Sequence, residues 1–272
     1  VLTSRGLGDV YKRQFLYSAR CEEFKSVEGR KKAFKNLKDA GIDGLIVIGG
    51  DGSFTGALKL EEEFNFPVVG IPGTIDNDLF GTSHTLGYDT ALNTVMEAID
   101  KIRDTAISHH RLFFVEVMGA DAGYIALNSG LAIGAQEILI PEVNMSFDNL
   151  INSLKKSKTA GKTSSIIVVA EGDRTGKNVF ELASKIEETL PKYETRVSVL
   201  GHIQRGGSPT CFDRVLGTQL GVKAVESLID GKHGSMVGIQ NGKIVFTPLS
   251  KALKGKTKIN KELLRISQIM NT

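Results

Sequence analysis

Six short runs of mostly branched apolar residues, spread between residues 44 and 201, constrain this chain more than any other feature. They are GLIVIG (44–49), FPVVGIP (66–72), RLFFVEVMG (111–119), EILIP (137–141), SIIVVAE (165–171) and RVSVLG (196–201). Each is continuously apolar and does not alternate, which is how a parallel strand covered by helices on both faces reads. Helical stretches separate them. In TALNTVMEAIDKIRD, Leu92, Val95, Met96, Ile99 and Ile102 fall on one face, and in VEGRKKAFKNLKDAG, Ala33, Phe34, Leu37 and Ala40 do the same before Gly41. Strand and helix in regular succession predict a doubly wound α/β fold with mostly parallel sheets.

Bulk properties narrow the function. The chain has 272 residues, 41% of them hydrophobic, enough for a substantial core in one domain or two. Lys and Arg number 34 against 31 Asp and Glu, a balance that argues against a nucleic-acid surface but leaves room for a small phosphorylated substrate. Cys21 and Cys211 are the only cysteines and show no metal-ligand spacing, which favours a reducing compartment. The apolar runs are too short to span a bilayer, so a cytoplasmic protein is expected. Residues 1–14, VLTSRGLGDVYKRQ, have neither period and look like a non-native scar before a chain that starts near Phe15.

In open α/β sheets ligands bind where strands end, so the loops after the apolar runs carry the expected chemistry. GGDGS (49–53) follows LIVI. Its glycines let backbone N–H groups approach a phosphate, and Asp51 makes sense there as a holder of Mg²⁺ bridging phosphate oxygens. PGTIDND (72–78) follows the next strand. In an extended loop, Asp76 and Asp78 would point to one side and divide proton and metal work, with Thr74 adding a hydroxyl. LGHIQRGGSP (200–209) brings His202 and Arg205 onto a glycine-flanked loop, with Arg196 at the head of its strand, a set suited to an anion.

GGDGS, PGTIDND, VEVMG and LGHIQRGGSP, in this order and with SARCEEF and MVGIQNGKI, resemble bacterial 6-phosphofructokinases from Phe15 almost to the C-terminus. The resemblance implies two interleaved Rossmann-like lobes. A nucleotide lobe would take residues 15–87 and 209–257, and a sugar-phosphate lobe residues 88–208 and 258–272. It implies transfer of a phosphoryl group from ATP, with Mg²⁺, to the 1-hydroxyl of fructose 6-phosphate, the committed step of glycolysis. Asp76 would be the general base, supported by Asp78 and Thr74. Arg20 would reach the transferring phosphoryl group, and Arg20, Cys21, Gly50, Asp51, Gly52 and Ser53 would bind the nucleotide, with Asp51 on the metal. Thr74, Ile75, Asp76, Met118, Gly119, Glu171, His202 and Arg205 would hold the sugar phosphate. Arg111 and Arg196 would reach into a neighbouring subunit's site, which makes a homotetramer necessary.

Pyrophosphate-dependent relatives carry Asp at the position of Gly52 and Lys at that of Gly73, so ATP is the implied donor, with pyrophosphate the runner-up. The chain departs from the family in three respects. The opening strand and its glycine-rich turn are missing, an absence expected to leave two neighbouring strands unpaired and this chain inactive. Ala120 stands where arginine usually follows VMG. Arg103 and Lys162 match effector ligands, but Gln136 replaces an acid there. A non-catalytic sugar-phosphate-binding homologue is the competing class.

Overall fold

In this computed structural model the described residues are 21–109, 111–159, 166–255 and 257–270. In chain order the elements are α1 (Val27–Asp39), β1 (Leu45–Gly49), α2 (Asp51–Phe64), β2 (Val68–Pro72), α3 (Tyr88–His109), β3 (Arg111–Val117), α4 (Tyr124–Ala132), β4 (Glu137–Leu139), α5 (Phe147–Thr159), β5 (Ile166–Ala170), α6 (Val179–Thr189), β6 (Glu194–Val199), α7 (Cys211–Ile229), β7 (Ser235–Gln240), β8 (Lys243–Pro248), α8 (Leu249–Lys254) and α9 (Lys261–Met270). Short 3-10 helices precede α1 (Glu23–Lys25) and follow β6 (Gly201–Arg205). The six predicted apolar runs each become a strand, and the architecture is α/β with mostly parallel sheets.

The chain divides into two compact units. The first holds residues up to Thr74, Leu79–Gly87 and Ser208–Thr257; the second holds Ile75–Asp78, Tyr88–Gly207 and Lys258–Thr272. The first unit's sheet has the order β1-β2-β7-β8. β1, β2 and β7 run parallel, and β8 turns back antiparallel on β7. No gap opens inside this sheet among the described residues, contrary to the expected pair of unpaired strands. Instead, among the described residues, β1 lies at the edge of the sheet, with Ile48 45% exposed. The β7–β8 hairpin was not anticipated, although its turn, Asn241–Gly242 with φ of 49° and 74°, is the left-handed pair that a two-residue hairpin favours.

The second unit's sheet is parallel throughout, in the order β4-β5-β3-β6. Its middle strands are apolar on both faces. Phe113, Val115 and Val117 pack with Val95 and Ile99 of α3 and Ile125 of α4. Leu112 and Phe114 point the other way, into Leu150 and Leu154 of α5 and Leu182 and Ile186 of α6. Side chains of adjacent residues therefore fill opposite cores, the physical reason for a continuously apolar strand.

Local signals set the helix ends. Ser26 caps α1 by accepting the Gly29 N–H at 3.0 Å, Asn178 caps α6, and Thr210 caps α7. One ion pair pins α1 against α2: Arg30, 4% exposed at its side chain, gives Nε and Nη2 to the Glu63 carboxylate at 2.7 and 2.6 Å. Its Nη1 caps the carbonyls of Phe24 and Lys25. The Arg30 hydrogen bond holds the Glu63 carboxyl below its ordinary pKa. A depressed carboxyl stabilises the fold above its unfolded pKa of about 4, and that contribution is lost as pH falls through the lower folded value. Arg30→Met is expected to lower Tm by about 4–8 °C at pH 7. Thermal melts of both proteins from pH 7 to 3 should show the gap narrowing in the acid range; a gap independent of pH would refute the ion pair's contribution.

Candidate active site

On the first unit, β1 ends at Gly49 and α2 starts two residues later, so residues 49–53 form a strand–helix turn. Gly49 lies so close beneath Ser53 that a Cβ there would come within 2.3 Å of Ser53 Oγ. Gly50 is the N-cap of α2 and has no side chain to satisfy the first-turn N–H groups, leaving the positive end of the helix for an anion. Asp51, Gly52 and Ser53 are exposed at this end. Beside the turn, Gly73 donates to the Gly49 carbonyl at 2.9 Å, and Thr74 lies in ordinary contact distance of Gly50. The Thr74 carbonyl accepts the Thr85 hydroxyl at 2.6 Å, fixing the strand end from behind. Cys21 is an exposed free thiol in the turn before α1. Arg20 and Lys162 lie outside the described residues.

The chain enters the second unit at Ile75, which packs on that unit's core. Asp76, Asn77 and Asp78 are half-buried. The premise of an extended loop fails here. The chain bends at 75 and 76, and Asn77 adopts a left-handed φ of 55°, which asparagine tolerates, so strand-like alternation does not relate Asp76 to Asp78.

At the carboxyl ends of β3, β5 and β6 the structure gathers Met118, Gly119, Glu171, His202 and Arg205. Gly119 (φ 142°) and Ala120 (φ 51°) turn their N–H groups onto one carboxylate oxygen, Glu171 Oε1, at 3.2 and 2.6 Å. A Cβ on Gly119 would lie 2.4 Å from the Ala122 carbonyl oxygen, and one on Gly172 2.4 Å from that of Ala120, so both glycines are required by close approach. Gln204, absent from the sequence expectations, is 1% exposed. Its Oε1 accepts the Met118 N–H at 3.1 Å and its Nε2 donates to the Gly201 carbonyl, tying the loop of His202 and Arg205 to the end of β3. His202 and Arg205 themselves are exposed.

Arg111 and Arg196 lie elsewhere. They stand at the amino ends of β3 and β6, with Arg111 in register with Glu194 and Arg196 with Phe113. The six residue steps from Arg111 to Val117 correspond to about 20 Å of strand, so within one chain Arg111 is remote from Met118, while Arg196 is three steps, about 10 Å of strand, from the end of β6. Arg103 donates from Nη2 to the Ile133 carbonyl.

One further carboxyl was visible but unread: Glu116, the lone acid inside RLFFVEV. Burial pushes its pKa up, and neighbouring Glu171 adds to the shift. A raised carboxyl costs stability when ionised, fully above the raised pKa and not at all below the unfolded pKa of about 4. Glu116→Gln is therefore expected to raise Tm by about 1–3 °C at pH 7, with no gain near pH 3.5. A melt series that shows destabilisation at pH 7 would contradict this.

A glycine-lined strand–helix turn on one unit, and histidine, arginine and carboxylates at strand ends of the other, are what an α/β kinase of a small phosphorylated acceptor carries. Comparison with known proteins makes this specific. Residues 12–228 match the family described as phosphofructokinase. The chain is 54% identical over 264 residues to an ATP-dependent 6-phosphofructokinase of Halalkalibacterium halodurans, covering 96% of this chain and 81% of that one. It is 56% identical over 253 residues to that of Bacillus subtilis, covering 93% and 78%. Among solved structures, phosphofructokinase from Saccharomyces cerevisiae superposes with a TM-score of 0.79 at 34% identity, over 93% of this chain but only 37% of the yeast chain. The chain belongs to the phosphofructokinase family.

Proposed function

We propose that this protein is an ATP-dependent 6-phosphofructokinase, transferring the terminal phosphoryl group of ATP to the 1-hydroxyl of fructose 6-phosphate to give fructose 1,6-bisphosphate and ADP. The observation that carries this reading is the match at 54% identity, over nearly the whole chain, to a relative bearing that activity. In this reading Asp76 takes the proton of the attacking hydroxyl, Asp78 and Thr74 support it, and Ile75 anchors the loop in the second unit's core. Arg20 offsets charge on the transferring phosphoryl group. Gly50, Gly52, Ser53 and Cys21 line the nucleotide.

Asp51 would hold Mg²⁺. A single exposed carboxylate at a helix start suits that ion, which takes one or two protein carboxylates and completes its shell with phosphates and water. Among the described residues no cluster of three or more His, Cys, Asp or Glu could hold a metal ion. When bound, the ion neutralises phosphate charge.

Met118, Gly119 and Glu171 would hold the sugar, and His202 and Arg205 its 6-phosphate. The two N–H groups on Glu171 Oε1 leave its second oxygen to accept from a sugar hydroxyl. Arg111, about 20 Å from the far end of its own strand, and Arg196, about 10 Å from the far end of its strand, would serve the site of another copy. A homotetramer with shared sites, in the cytoplasm, follows from that reading. Among the described residues no helix is long and apolar enough to cross a membrane.

The donor choice rests on two glycines. A Cβ at Gly52 meets nothing within 4 Å, so an acid fits there without disturbing the fold and acts on a nucleotide by charge alone. At Gly73 a Cβ would lie 2.9 Å from Ile48 Cγ2 and 3.3 Å from the Gly49 N–H nitrogen, so lysine requires the turn to move. Gly52→Asp is expected to keep Tm within about 2 °C and to weaken ATP binding at least tenfold, read by isothermal titration with MgATP. Unchanged ATP affinity would remove Gly52 as a donor determinant.

The central test is a coupled assay for fructose 1,6-bisphosphate, with ATP and pyrophosphate offered separately. Any turnover is expected with ATP and not with pyrophosphate. Asp76→Asn is expected to lower kcat by at least about a thousandfold while fructose 6-phosphate still binds. Near-normal turnover in that variant would sink the role given to Asp76, and turnover only with pyrophosphate would overturn the donor.

A further inference from the structure

We infer that Glu194 is a positioning residue for the Arg111–Arg196 pair, holding both guanidinium groups in the arrangement that receives the acceptor's phosphate. The inference rests on the reading above, in which those arginines bind the sugar phosphate. Glu194 opens β6, directly in register with Arg111 at the start of β3 and two residues before Arg196, on the same face of the sheet. Its Oε2 lies 3.1 Å from Arg111 Nε, and its Oε1 accepts from Arg196 Nη2. Arg196 is fixed a second time, its Nη1 donating to the Thr195 carbonyl at 2.7 Å. Arg111 holds the Glu194 carboxyl below its ordinary pKa, with Arg196 adding to the effect, so the group is ionised at neutral pH.

The geometry separates positioning from competition. Glu194 meets Arg111 on its Nε edge, so a phosphate can take the outer fork of terminal nitrogens without displacing the carboxylate. Two guanidinium groups on neighbouring strands also repel. One carboxylate between them offsets that repulsion and leaves the set one positive charge in excess, still attractive to a phosphate dianion. Arg111 Nε is buried and makes no hydrogen bond of good geometry, so at 3.1 Å the Glu194 carboxylate holds this guanidinium by charge. Arg196 and Glu194 are 45% and 44% exposed at their side chains, within reach of a ligand.

A merely structural role is distinguished by the neighbouring contact. Glu187 of α6 accepts the Thr195 N–H and hydroxyl at 3.1 and 2.6 Å, and this holds the start of β6 against the helix. Thr195→Val removes the hydroxyl bond without touching charge. It is expected to lower Tm and leave phosphate affinity alone.

The test is isothermal titration of the full chain with fructose 6-phosphate and, separately, inorganic phosphate, beside thermal melts, for wild type, Glu194→Gln, Glu194→Asp and Thr195→Val. Glu194→Gln is expected to bind fructose 6-phosphate about tenfold more weakly, with Tm within about 2 °C of wild type, and Glu194→Asp to recover part of the loss. Equal or tighter binding by Glu194→Gln, with the wild type binding, overturns the positioning role. So does a loss of affinity that Thr195→Val reproduces in proportion to its Tm. A wild-type chain that binds neither ligand overturns the underlying reading, and the role of Glu194 falls with it.

Discussion

A parallel strand buried on both faces can present side chains to a ligand only at its ends. β3 shows the consequence: Leu112 to Val115 are consumed by two cores, with Leu112 and Phe114 in one and Phe113 and Val115 in the other. What remains for chemistry is Arg111 at one end and Met118 to Ala120 at the other. The sheet thus acts as a spacer about 20 Å long between two polar sets of the same chain. No adjustment of loops can merge them while the strand stays in register with β5 and β6. The separation between the two ends of β3 is thus a constraint that originates in core packing.

At the carboxyl ends the chain must change direction within two or three residues, and there the strained conformations gather. Gly119 and Ala120 both have positive φ, and together they aim two N–H groups at Glu171. Left-handed alanine costs on the order of 1 kcal/mol, which the short hydrogen bond to Glu171 offsets. Asn77 plays a similar part between Asp76 and Asp78. At β3 a backbone conformation that the sheet would not tolerate occurs just beyond its last residue, where two N–H groups meet the Glu171 carboxylate; Asn77 lies five residues past the end of β2.

Much of this was legible in the sequence because burial and turn formation leave marks on single residues. Continuous runs such as SIIVVAE declare a strand with two apolar faces, and β5 follows from it. The β7–β8 hairpin is faint in the sequence because SMVGIQ and KIVFTP are short and mixed, and the two-residue turn Asn241–Gly242 is its main mark. The same-side argument for Asp76 and Asp78 failed because alternation presumes extended φ and ψ, which an asparagine can abandon at small cost. Gln204 and Glu194 were invisible for a different reason. Each acts through a partner supplied by another strand, the Met118 N–H and the Arg111 guanidinium, and register across a sheet is not written at any one position.

The turn after β1, proposed above to line the nucleotide, has glycines of two kinds. Gly49 and Gly73 are closed positions, where a Cβ would strike Ser53 or Ile48 and Gly49. Gly52 is open, at the exposed start of α2, so the fold does not refuse a side chain there. A change at the open glycine alters only the field an approaching phosphate meets, an effect that strengthens as water is excluded. A change at the closed glycine must first move a strand end. An acid at Gly52 therefore needs no other change in the turn. A lysine at Gly73 becomes tolerable only after Ile48, the half-exposed residue of edge strand β1, has yielded room.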